Sequence, residues 1–152
     1  MSLVLRLCLL AALMAAPLAA RAESVIGRRI FVEFGFDTTA PEMAAAERAV
    51  PQLFAKAKAA GRPVTAKVAR SEATTLISLE SVAICDRAKG CPLLVFRDIA
   101  QKPILVSASF QNLILDYRDK ATFLVIRVWD TTTECRVSNV PKAICRRIPA
   151  SR

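Results

Sequence analysis

The sequence contains no histidine, so the commonest general base is missing, and with it any Ser-His-Asp or Cys-His arrangement. Zinc sites that use imidazole are excluded for the same reason. Glycine is scarce, and four scattered glycines cannot build a phosphate-cradling loop. Aromatics are few: one Trp, one Tyr and seven Phe. Trp129 and most of the phenylalanines fall at positions expected to face a core, whereas single-strand binders interleave bases with exposed aromatics. That pattern argues against nucleic acid as the partner. No linker, internal repeat or low-complexity tract interrupts the chain. Its 152 residues, 54% of them hydrophobic, suit one globular domain.

The first 22 residues read as an address. Arg6 supplies a positive start, residues 7–20 are uncharged, and Ala20-Arg21-Ala22 is a small-x-small cleavage pattern. The apolar run is too short to span about 30 Å of hydrocarbon. Cys8 lies inside that run without small residues before it, which excludes a lipidation site. Cleavage near Ala22 leaves residues 23–152 as a single exported domain, with 20 bases, 13 acids and a net charge of +7. No transmembrane segment follows the signal. The Ala- and Arg-rich style points to the periplasm.

Cys85, Cys91, Cys135 and Cys145 remain after cleavage. An even number in an oxidising compartment implies two disulfides, and three pairings are open. Cys85–Cys91 and Cys135–Cys145 are favoured, because each pair brackets a short polar stretch between expected strands. The rival is a long-range bridge from the 85–91 loop to the C-terminal tail. Neither spacing is the Cys-x-x-Cys of thiol oxidoreductases, and the cysteine knuckles of zinc sites are absent. No cofactor or metal site is expected.

Residues 29–37 alternate, with Ile30, Val32, Phe34 and Phe36 on one side, as in a half-buried strand. Thr39 and Glu42 form a capping box, and Met43, Ala46, Val50, Leu53, Phe54 and Ala57 follow at helical spacing. Pro51 inside this stretch predicts a kink or two abutting helices. Period-two patterns then predict strands over 64–68, 76–84, 92–98, 103–110, 112–118 and 121–129, with a short one over 135–138 finishing the sheet. Turns are expected at 99–102 and at Asp119-Lys120. The plan is α+β: one kinked helix, or two short helices, packed on a mainly antiparallel β-meander stapled by disulfides.

Residues 31–37 (FVEFGFD), the following helix and residues 64–68 (VTAKV) are together similar to the opening of OmpA-type peptidoglycan-binding domains. Residues 69–75 (ARSEATT) lack the aspartate of that family's ligand motif, and no second helix carrying its arginine follows. Periplasmic lysozyme inhibitors are similar in format alone, and a basic chain would be repelled by basic lysozymes.

With no histidine, general acid–base chemistry would fall to carboxylates, for instance Glu80 with Asp116 or Asp130 in a carboxylate-dependent hydrolase. Thr131–Thr133, Ser107 and Ser109 have no base beside them in sequence to activate a hydroxyl. Charge is the stronger signal. Arg62, Lys67, Arg70, Arg87, Lys89, Arg146 and Arg147 are the candidate contacts for an anionic partner. The expectation is a small exported, periplasmic, non-enzymatic binding or accessory protein of the cell envelope, whose basic surface takes an acidic protein or anionic envelope component. The alternative is an immunity or inhibitor protein that neutralises an exported toxin or hydrolase.

Overall fold

The computed structural model describes residues 27–72 and 74–149; the expected signal segment, residues 1–22, lies outside the described residues. The chain forms β1 (Arg28–Phe31), α1 (Ala40–Ala49), α2 (Pro51–Ala59), β2 (Thr65–Arg70), β3 (Thr75–Glu80), β4 (Cys91–Phe96), β5 (Leu105–Phe110), β6 (Asn112–Arg118), β7 (Ala121–Val128), β8 (Thr131–Arg136) and β9 (Ile144–Ile148). Among the described residues no helix is long and apolar enough to cross a membrane.

All strand pairing is antiparallel, but the expected single meander divides into two sheets. One has the order β2-β3-β4-β5, the other β1-β6-β7-β8-β9. The division follows from the apolar runs of β3 and β4. Ile77, Leu79, Leu94 and Phe96 pack with Ala45, Ala46 and Val50 of the helical segment. Leu76, Leu93 and Val95, on the opposite side, pack with Leu113, Leu115, Leu124, Ile126 and Cys135. A strand apolar at every position has no solvent side and needs a cover on each face. The helices supply one cover and the five-stranded sheet the other.

The segment expected as one strand over 29–37 serves both sheets. β1 pairs with β6 only as far as Phe31, opposite Ile114. Val32 still donates its N–H to the Leu113 carbonyl (3.0 Å), and Gly35 then exchanges two backbone hydrogen bonds with Val68 of the other sheet (2.8 and 2.9 Å). Val32 and Phe34 keep their expected inward side. Phe36 does not: it is 76% exposed, with Lys67 Nζ 4.6 Å from its ring centre. Trp129, 61% exposed, also departs from the core placement expected for it, while Phe31, on the other side of the strand, is 73% exposed.

Pro51 divides the helical stretch as its chemistry requires, ending α1 at Ala49 and opening α2. Asp119 and Lys120 both adopt positive φ in the two-residue turn between β6 and β7, matching the twist of the flanking strands. Both disulfides join near neighbours, Cys85–Cys91 and Cys135–Cys145. The end of the chain differs from expectation. β8 begins at Thr131, four residues before the predicted strand, and a further strand, β9, pairs with it so that Cys145 faces Cys135 directly.

Arg70 fastens α1 to the end of β2. Its Nε and Nη2 donate to the two Glu42 carboxylate oxygens (2.7 and 2.8 Å), and Nη1 donates to Asp37 (2.7 Å). Glu42 also accepts the backbone N–H and the hydroxyl of Thr39, closing the first turn of α1. These contacts, led by the Arg70 guanidinium, pull the Glu42 carboxyl down to about 2. A carboxylate depressed in the folded state stabilises fully above its unfolded value of 4.5, and that contribution disappears as pH falls towards 2. Glu42→Gln is therefore expected to cost about 2 kcal/mol at neutral pH, with the gap from wild type closing below about pH 3. Urea denaturation across that range measures it.

Candidate arginine face

The five-stranded sheet has one face on the core and the other uncovered by any described element. The registers put two rows of side chains on that open face. One row is Phe31, Ile114, Val125, Glu134 and Arg146; the next is Arg29, Asp116, Phe123, Arg136 and Ile144. Arg118 and Arg127 extend the same face by the two-residue strand period. The five strands hold seven arginines and no lysine, against Asp116 and Glu134 as their acids. Five of the seven, Arg29, Arg118, Arg127, Arg136 and Arg146, point to the open side.

These groups form a cross-strand ladder. Asp116 accepts from Arg29 Nε at 3.2 Å and lies 3.8 Å from Arg118 Nη1. Arg118 turns its other amino group to Glu134, which also accepts from Arg146 Nε and Nη2 (3.0 and 2.7 Å). The Arg118 guanidinium also stands 4.4 Å from the Phe123 ring centre, a cation–π contact that holds it over β7. The ladder reaches from edge strand to edge strand, about 19 Å at ordinary strand spacing. Its carboxylates are almost wholly buried beneath the arginines, with side-chain exposures of 2% and 5%, while Arg29 and Arg146 remain above 70% exposed.

Chemically, both acids are engaged by arginines within the ladder, and the guanidiniums keep donors to spare. Each pinned arginine keeps further N–H donors for solvent, and Arg136 forms no ion pair among the described residues. A planar fork of donors fits the paired oxygens of a carboxylate or phosphate. The face carries three more positive than negative charges, with Arg29, Arg118 and Arg146 fixed by the acids.

The seven bases singled out in the sequence divide into three groups. Lys67, Arg70 and Arg146 are held in ion pairs, with Glu80 (2.9 Å), with Asp37 and Glu42, and with Glu134. The Arg70 guanidinium makes four hydrogen bonds to Asp37 and Glu42 and fastens these segments together. Arg62 and Arg87 line one recess beside the disulfide loop that carries Lys89. Arg147 lies on β9 opposite Thr133, on the side away from the ladder. The seven do not gather into one patch. Arg29, Arg118, Arg127 and Arg136 were missed, although their solvent-side positions in alternating strands are a signal that could have found them.

The carboxylates considered for acid–base work are dispersed. Glu80 ends β3 beside Lys67, Asp116 lies under arginines on the other sheet, and Asp130 occupies the β7–β8 turn.

Removing a carboxylate from beneath the ladder separates structural from surface charge. Asp116→Ala removes the counter-charge of Arg29 and one of the two held by Arg118, which keeps Glu134, and is expected to cost about 2 kcal/mol through the lost charge-assisted hydrogen bond. Arg29→Ala, which removes an exposed partner, is expected to cost under about 1 kcal/mol. A double-mutant cycle by urea denaturation measures both and their coupling.

Compared with known proteins, the chain matches no family model, no curated protein and no solved structure.

Proposed function

We propose that the chain is a non-enzymatic binding protein of the cell envelope, working in the periplasm and taking an acidic partner on the arginine face. The observation that carries this reading is the ladder itself: an uncovered sheet face whose acids are consumed internally and whose surplus charge is entirely guanidinium. A sheet face with no structural cover normally carries mixed polar groups. Arginine in place of lysine favours directional capture of oxygen pairs over diffuse attraction.

Two disulfides support an oxidising workplace outside the cytoplasm. The partner's surface would offer carboxylates or phosphates spread over a flat area, since the ladder is broad and shallow. Half-buried Ile114, Phe123 and Val125 lie between the arginines and add apolar contact once water is displaced.

The test is capture of acidic envelope components by immobilised protein at about 50 and 500 mM salt, where screening differs by roughly threefold in Debye length. Capture is expected to fall at least about tenfold at high salt. The Arg127→Gln/Arg136→Gln variant, whose side chains bear no buried ion pair, is expected to lose capture at low salt while keeping its urea midpoint. Salt-indifferent capture, or full capture by the variant, would overturn the reading.

A further inference from the structure

A concavity lies away from the arginine face, where the turn leaving α2 meets the disulfide loop. It measures about 550 Å³, a volume suited to a small ligand, and its lining includes Arg62, Pro63, Thr65, Val82 and Arg87. Its walls are fixed by bonding. The floor is the paired end of β2 and β3, Thr65 opposite Glu80. The loop wall is closed by Cys85–Cys91, and Asp86 and Gly90 exchange two backbone hydrogen bonds of 2.8 Å. The Asp86 carboxylate accepts the Ala88 and Lys89 amides, which holds its pKa below the ordinary value. Gly90 has a positive φ and lies so close to β5 that a side chain there would strike the Phe110 carbonyl. The loop is thereby seated against the sheet.

The recess is uncompensated in charge. Its carboxylate, Glu80, is neutralised by Lys67. Arg62 and Arg87 form no ion pair among the described residues, while Lys89 on the same loop is offset by the Asp86 carboxylate. Beside them Val82, in the turn that precedes the disulfide loop, is 79% exposed. Two free guanidiniums next to an open apolar wall define a ligand with a charged head and an apolar tail.

We propose that this recess binds a small oxyanion carried on a short apolar chain, a carboxylate or a phosphate monoester. Arg62 and Arg87 take the head, and Val82 with Pro63 packs the tail. The site is separate from the arginine face, so either can stand without the other.

Amide NMR titrations with octanoate, octyl phosphate and octyl glucoside, all below micelle-forming concentration, test it. Both anions are expected to shift the signals of Thr65, Val82 and Arg87, and the uncharged glucoside to bind at least about tenfold more weakly. The stronger of the two anions identifies the head group. Arg62→Gln/Arg87→Gln is expected to weaken anion binding about tenfold or more, and Val82→Ser to weaken it severalfold. Arg127→Gln/Arg136→Gln is expected to leave it unchanged. Equal binding of the glucoside, shifts confined to the five-stranded sheet, or undiminished binding by the Arg62/Arg87 variant would overturn the proposal.

Discussion

Strands β3 and β4 have no solvent face, because successive residues from Leu76 to Leu79 and from Leu93 to Phe96 are all buried. Period-two geometry sends neighbours along each strand to opposite cores, so one layer cannot satisfy them. The two short helices, rich in alanine on their inner side, lie over one face and leave the other to a second sheet. Layering stops there. The far side of the five-stranded sheet meets water, and its surface chemistry is free to serve something other than packing.

That open face resolves a conflict between burial and charge. Half-buried Ile114, Phe123 and Val125 alone would make a flat apolar β-surface, which invites association between chains. Arginine stems cover such positions while their heads remain wet. The acids beneath them, Asp116 and Glu134, fix where those heads stand. Both edge strands also carry adjacent arginines, Arg28-Arg29 and Arg146-Arg147, which repel another edge of like charge. The same residues that discourage self-association present an ordered cationic surface to anything acidic.

Much of this was legible from pattern. The Thr39–Glu42 box, the division at Pro51, the Asp119-Lys120 hairpin and both cysteine pairings follow from local chemistry that distance along the chain does not alter. The split into two sheets was not legible. Alternation specifies which residues share a side but not which core that side faces, and residues 28–35 pass between sheets without a break in pattern. β9 was hidden because Arg146 and Arg147 mask the alternation of a five-residue edge strand. The fastening by Arg70 was hidden for a related reason: composition counts a charge without revealing that Glu42 and Asp37, both distant in sequence from β2, converge on it. For the arginine face, the spacing was visible in each strand separately. Its union into one surface is a property of register across five strands.

Pairing of β1 with β6 joins residues as far apart as Arg29 and Asp116, separated by 87 positions. A loop of that length is closed late, since its entropy must be met before the contacts repay it. In a chain emerging amino end first, β1 would wait for nearly the whole sequence, while the β2–β5 hairpins form from near neighbours. The strand that ties both sheets together through Gly35 and Val68 therefore docks only after β6 has been made. The ladder that begins at Arg29 cannot close before that docking.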